Sequence, residues 1–154
     1  RAICYSDKFF KKRILNIVDL KNRIDSINVY KEKGSFDKIQ KIITRVSKLA
    51  DSGNLKKDVL TKEGYINQEL FEKKCELKVF EFIEELEELF TKDELSYLKL
   101  LNLFEINTKN LEELFDNENG VLVMSKDIKI RENRLNLLGV LRNYSLKIVD
   151  FTLL

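Results

Sequence analysis

The sequence predicts an all-α protein, a helical bundle of about six helices, and three observations predict it. Apolar residues recur at steps of three and four rather than two. The chain has no proline and only five glycines in 154 residues, which fits helices joined by polar turns better than a β-sandwich with its denser turn punctuation. Its 44% hydrophobic and 35% charged residues describe a chain able to build a core of its own. Residues 1–154 are expected to form a single domain. The start at Arg1 rather than methionine reads as a piece cut from a longer protein.

Phe10, Ile14, Ile17, Ile24 and Ile27 place one helix, or two in line, over residues 7 to 32. Gly34 ends it, and Ser35 is expected to cap the next helix with Asp37 in its first turn. Phe36, Ile39, Ile43, Val46 and Ala50 form the inner stripe of that helix, and "DSGN" at 51–54 stops it. Residues 55–66 lack periodicity and read as a connecting loop. From Asn67 to Phe90 the pattern is strongly amphipathic. Cys75, Val79, Phe82, Ile83, Leu86 and Phe90 share one arc, and Glu81, Glu84, Glu85 and Glu88 face the other way.

"TKDE" at 91–94 reads as a capping box that stops one helix and starts another, which runs to about Phe104. A short helix follows from Thr108 to about Phe115, then a turn, "DNENG". "VLVM" at 121–124 is too short to assign, and Ser125 is expected to cap a long final helix.

What is missing narrows the chemistry. Without histidine the commonest general base, the Ser-His and Cys-His pairs and histidine metal sites are excluded. There is no phosphate-binding glycine loop, no signal peptide and no apolar run long enough to span a membrane. Cys4 and Cys75 have neither metal nor redox spacing, so a reducing compartment is expected. No catalytic, cofactor-binding or metal-ligating residues are therefore assigned.

Net charge is only +2, but it is unevenly spread. Residues 1–50 hold thirteen Lys/Arg against five Asp/Glu, residues 69–94 four against ten, and residues 126–147 six against two. Two basic ends flank an acidic middle, so a polyanion could bind one side. Equally, basic and acidic helices could pair with each other. Phe9 and Phe10 beside Lys8, Lys11, Lys12 and Arg13 resemble an aromatic-plus-basic nucleic-acid patch, although helical spacing puts one Phe in the core. The glutamate face of residues 72–90 reads as solvated surface, and Cys75 as a small core residue.

The final helix carries the main puzzle. Lys129, Glu132, Asn136, Gly139, Asn143, Lys147 and Asp150 fall on one strip, which reads as the solvent face. Ile130, Leu137, Leu141, Tyr144 and Ile148 fall opposite and face the core. A third strip holds Asp127, Arg131, Arg134, Leu138, Arg142 and Ser145. Arginine in an apolar surround must be paired or reach water. Either Arg131 or Arg134 pairs with glutamates of the 72–90 helix, or the guanidinium forks face outward toward phosphates and base edges.

The segment "LEELFDNENGVLVMSKDIKIRENRLNLLGVLRNYSLKIVDF" resembles the C-terminal anticodon-binding region of the β subunit of bacterial-type glycyl-tRNA synthetase. Phe115-Asp116, Val121, Val123-Met124, Asp127, Arg131, Asn133-Arg134-Leu135, Leu137-Leu138 and Val149-Asp150 carry the match. Upstream, "RVSKL" at 45–49 and "INQELFEKKCELKVFEFI" at 66–83 resemble two further segments in the family's order. Together they cover roughly residues 36 to 154. Thr44 stands where the family usually has lysine, and Lys48 where asparagine is common. "NENG" lengthens the turn before Val121, and residues 55–65 form a local expansion. The Asp-Ala-Leu-Arg signature that names the wider DALR class is not present as such.

The resemblance implies a DALR-type helical domain at the C-terminal end of a longer chain, in a glycine-tRNA ligase. The α subunit of such a ligase uses ATP and carries the catalysis. This segment would bind tRNA(Gly), whose anticodons share cytosine at the second and third letters. Arg131, Asn133 and Arg134 are expected near the anticodon loop with Arg142 next, and Lys41, Arg45 and Lys48 are expected to contact phosphates. Bacterial cytoplasm or organelle stroma is the expected compartment. A protein-docking helical module without RNA binding, or the equivalent domain of arginyl-tRNA synthetase, are the alternatives.

Overall fold

The computed structural model describes residues 2–92 and 96–154, and from residue 16 onward the side chains as well. Five α-helices are present among them: α1 (Ala2–Glu32), α2 (Phe36–Ala50), α3 (Lys74–Thr91), α4 (Tyr97–Leu114) and α5 (Ile128–Ser145). Short 3-10 turns occur at Gln68–Leu70 and Phe151–Leu153. The described residues contain no strand, and none of their helices is long and apolar enough to cross a membrane.

The count is five rather than about six because the expected break between Phe104 and Thr108 does not occur. Polar side chains at the supposed break are satisfied inside the helix. Asn107 Nδ2 donates to the Leu103 carbonyl at 3.0 Å, and Thr108 Oγ1 to the Glu105 carbonyl at 2.8 Å. Back-bonding of this kind lets such residues stay within a helix, and α4 runs through.

Three expected helix starts also shift. The amphipathic segment becomes helical at Lys74 rather than Asn67. Asn67 instead caps the short turn, accepting from the Glu69 N–H at 2.9 Å, and its main chain is taken by α5. The cap of α5 is Asp127, whose Oδ1 accepts from the N–H groups of Lys129 and Ile130 at 2.9 and 3.2 Å. Ser125 sits one step earlier and accepts only from Asp127 N–H, at 3.3 Å. Ser35 occupies the N-cap position of α2 but makes no side-chain cap bond. Of the expected capping box at 91–94, Asp93 and Glu94 lie outside the described residues; Ser96 caps α4, accepting from Lys99 N–H at 3.4 Å.

The core follows the apolar arcs. Phe36, Ile39, Ile43, Val46 and Ala50 of α2 are buried, as are Cys75, Val79, Phe82, Ile83 and Leu86 of α3. Phe82 meets Phe104 of α4 edge-on at 5.3 Å between centroids, and Phe90 meets Tyr144 of α5 at 4.9 Å. Phe36 stacks on Phe151 at 5.7 Å, bringing the C-terminal turn against α2. Pairs of this geometry are worth about 0.5–1.5 kcal/mol beyond their buried area.

Helix α1 departs from its expected role. At 1.5 Å per residue its 31 residues span about 46 Å, and it meets the bundle through its C-terminal part, where Ser26 and Tyr30 are buried. Gly34, at φ +78°, turns the chain back. Ile17 and Ile24, expected in the core, are 65% and 47% exposed, because among the described residues no other helix covers that face. Ile27 packs against the core at its margin. The expected core positions Phe10 and Ile14, and the patch from Lys8 to Arg13, have side chains outside the described residues.

Candidate nucleic-acid interface

Helix α5 is almost wholly buried from Asn133 to Ser145, and the reason is the segment 51–73. Of the strip expected to face solvent, Lys129, Glu132 and Lys147 are exposed, but Asn136 and Asn143 bind that segment's main chain instead. Asn143 Nδ2 donates to the carbonyls of Lys56 and Val59, both at 2.8 Å. Asn136 Nδ2 donates to the Tyr65 carbonyl at 2.8 Å. Asn133 grips Asn67 at both ends, accepting from its N–H at 2.7 Å and donating to its carbonyl at 2.9 Å. The Tyr144 hydroxyl donates to the Leu60 carbonyl. A loop without secondary structure must place its main-chain polar groups somewhere, and asparagine amides of α5 receive them.

Gly139 fits the same plan. A Cβ there would stand 2.8 Å from Leu55 Cδ2 and 3.2 Å from Leu55 Cβ, so the missing side chain lets the loop close on the helix. An interior helical glycine costs roughly 1 kcal/mol against alanine. Glycine between two asparagines on one strip was the available sequence signal that this face was covered by main chain.

The arginine strip divides. Arg134, only 4% exposed, donates from Nε to Glu76 Oε1 at 2.8 Å, from Nη2 to Glu72 Oε2 at 2.6 Å, and from Nη1 to the Leu122 carbonyl at 2.9 Å. Burial works against its charge, but the bonds from Glu76 and Glu72 outweigh that and hold the guanidinium above its ordinary value. Glu76 also accepts from the N–H groups of Glu72 and Lys73 at 2.8 and 3.0 Å, securing the start of α3. Arg142 is equally buried and reaches Asp51 Oδ1 and the Leu55 carbonyl, each at 2.9 Å. Of the two readings of the strip, pairing with the 72–90 glutamates is what Arg134 does.

Arg131 differs. It is partly exposed, makes one long bond of 3.5 Å to the Ser125 carbonyl, and lines a cleft of about 520 Å³ between the 52–65 loop and the first half of α5. Lys41, Arg45 and Lys48 are all exposed. Their spacing of four and three puts them on one face of α2. Arg45 lies over the Phe115 ring, 4.4 Å from its centroid, a cation–π contact that fixes the guanidinium's place on the ridge. Lys41, Arg45 and Lys48 thus share the exposed face of α2, Arg131 lines the cleft, and Asn133, Arg134 and Arg142 are held within the fold. Tyr65 and Asn54, also lining the cleft, lie in a loop whose irregular sequence offered no periodicity to place them.

Fold and surface together define an all-α fold, with a basic face on α2 and a polar cleft beside α5. No family model matches the chain. Individual proteins do. The glycine–tRNA ligase beta subunit of Picosynechococcus is 35% identical over 153 residues, covering 97% of this chain and 22% of that protein. That of Trichodesmium erythraeum is 34% identical over 152 residues, 95% of this chain and 21% of that protein. That of Dictyoglomus thermophilum is 33% identical over 137 residues, 86% and 18% respectively. The chain spans about a fifth of the length of these curated relatives.

Proposed function

We propose that this chain is the C-terminal, tRNA-binding region of the beta subunit of a glycine–tRNA ligase, a DALR-type domain that engages the anticodon loop of tRNA(Gly). The observation that carries the proposal is similarity at about one-third identity over 86–97% of the chain to proteins of that name. Chemistry is then the work of the α subunit with ATP, and this region positions the RNA in the cytoplasm or an organelle stroma.

The basic ridge supports the reading. Three cations on one helical face match the spacing of a backbone track, and phosphate contacts of this kind position a nucleic acid without reading it. Anticodon bases are unstacked and present their edges, so they can be read by guanidinium, amide and aromatic groups. Arg131 at the cleft is the base-facing candidate. Asn133, Arg134 and Arg142 act one layer behind it, holding α5 and the loop in place.

The test is binding of the assembled ligase to a glycine tRNA transcript across a salt series, beside a transcript with both shared anticodon cytosines replaced. Salt-sensitive binding that weakens on replacement is the expected result. Equal binding to both reduces the role to backbone grip, and salt-insensitive or absent binding refutes it. In that case a protein-docking role is favoured by α1, whose Ile17, Leu20 and Ile24 stand 65%, 53% and 47% exposed along one face.

A further inference from the structure

Helix α1 carries an apolar pattern that the bundle leaves unused. Ile17, Leu20 and Ile24 are 65%, 53% and 47% exposed, and Ile27 meets the core only at its margin. Their steps of three, four and three are those of a coiled-coil seam, with Ile17 and Ile24 at one seam position and Leu20 and Ile27 at the other. The other side of α1 holds it to the bundle. The Tyr97 hydroxyl and the Arg23 guanidinium both donate to Asp19, and Arg23 lies over the Tyr97 ring, 5.4 Å from its centroid. Ser26 and Tyr30 are buried further along. These contacts fix the rotation of α1 about its axis and turn the seam outward. Among the described residues, nothing covers it.

We infer that this seam docks one further helix of the same polypeptide, apolar along one edge and acidic beside it. The inference rests on the reading of the chain as part of a longer beta subunit, and not on its binding of tRNA. Charge selects the partner. The charged residues at the positions flanking the seam are Lys21 and Arg23, both cations. The next seam position downstream is Lys31, and the next upstream in the sequence is Arg13. Asp19 turns Arg23 toward α4, whereas Lys21 has only a loose contact along its own helix, 3.9 Å from Asp25 with both side chains exposed. Flanks of this sign select glutamates and aspartates on the helix they meet. A second copy of α1 would supply none there, and a parallel pair would set Lys31 against Lys31. The acidic helix α3 is already committed, since its apolar arc is buried in the core.

Length selects the source. Helices that pair as coiled coils sustain their seams over roughly three to four heptads, and this one runs only from Ile17 to Ile27. So short a seam cannot repay the freedom that two separate molecules lose on association. A tethered helix escapes most of that loss, because the connecting chain sets its effective concentration. The curated relatives have room for such a helix, since this chain spans about a fifth of their length.

The experiment uses the full-length beta subunit in the assembled ligase, prepared from a mixture of isotope-labelled and unlabelled beta chains. A zero-length carbodiimide joins lysine amines to carboxylates in contact, and mass spectrometry identifies the joined segments. Lys21 or Lys31 is expected to link to an acidic segment outside residues 1–154, with both ends carrying the same isotope label. Ile17→Asp combined with Ile24→Asp should lower the yield of that link roughly tenfold and speed amide exchange over residues 16–28 by a similar factor. Both positions are exposed, so α2 to α5 should exchange as before. Val18→Asp, at a position 48% exposed but off the seam, should leave the link intact. A link to the α subunit, a link of mixed isotope, or no link with fast exchange of residues 16–28 in the native ligase overturns the inference. So does loss of the link in Val18→Asp. Binding of glycine tRNA across a salt series, measured on the same preparations, separates the two readings. A beta chain that neither joins an α subunit nor binds tRNA refutes the reading of the chain, whereas tRNA binding without the link refutes the docked helix alone.

Discussion

Arg134 and Glu76 form an ion pair closed to solvent, Nε to Oε1 at 2.8 Å, with the arginine side chain 5% and the glutamate 0% exposed. The pair joins the middle of α5 to the first turn of α3, and Glu72 and the Leu122 carbonyl complete the arginine's shell. Breaking such a pair strands a buried charge, which costs far more than the intact pair contributes against an apolar substitute. Arg134→Ala is therefore expected to destabilise the protein by about 3–5 kcal/mol, measured by urea unfolding. A cycle with Glu76→Ala should be strongly non-additive. Unchanged stability together with lost RNA binding would instead give the guanidinium a direct role toward RNA.

The asparagine clamp makes a local prediction. Asn143→Ala removes one amide that serves the carbonyls of Lys56 and Val59 and accepts from Arg142 Nε. Leaving these groups without partners is expected to cost about 1–3 kcal/mol. Amide exchange should quicken across residues 55–67 and stay slow in α2 and α3. Gly139→Val should act in the same place, since its side chain would intrude on Leu55. Faster exchange spread evenly over the bundle would show that the loop and core open together.

Much of this architecture was legible because hydrophobic periodicity reports burial against other helices. The inner faces of α2 and α3 are where Ile39, Val46, Val79 and Leu86 place them. The same logic misplaced Ile17 and Ile24, because a stripe announces an apolar face without supplying what covers it. It also misplaced Asn136 and Asn143, since an amide looks alike in sequence whether it meets water or a loop carbonyl. Lys41, Arg45 and Lys48 were named only through the family resemblance, yet they need only their own helix to align. The cleft was not legible, because Tyr65 comes to line it beside Arg131 through a tertiary bond, from Asn136 to the Tyr65 carbonyl, between residues 71 positions apart.

Stability should decline in alkali. Burial pushes the Cys75 thiol above its ordinary 9.0 and the Tyr144 phenol above its ordinary 10.0; the Tyr30 and Tyr97 phenols are raised chiefly by burial too. A raised folded value means the native state keeps protons that the unfolded chain releases. The contribution is complete below about pH 9 and is lost as pH rises through each folded value. Denaturation midpoints measured from pH 8 to 11 should fall, and Tyr144→Phe and Cys75→Ala should each flatten the fall. A midpoint independent of pH in that range would contradict the assignment of burial as the cause.

The ridge on α2 yields the prediction most separate from folding. Lys41, Arg45 and Lys48 are exposed, and their side chains close no buried bond, so alanine at Lys41 or Lys48 should change stability by no more than about 0.5 kcal/mol. Arg45→Ala also gives up its contact with Phe115, worth about 0.5–1 kcal/mol at an exposed site. Each cation that meets a phosphate releases counterions, so each loss should lower the slope of log affinity against log salt by roughly 0.7. The triple variant in the assembled ligase is then expected to lose close to three times that slope. Its preference between native and cytosine-replaced tRNA should remain, since phosphate contacts carry no sequence information. A slope equal to the native one would remove the ridge from the RNA interface, and a lost preference would move Arg45 or its neighbours to the bases.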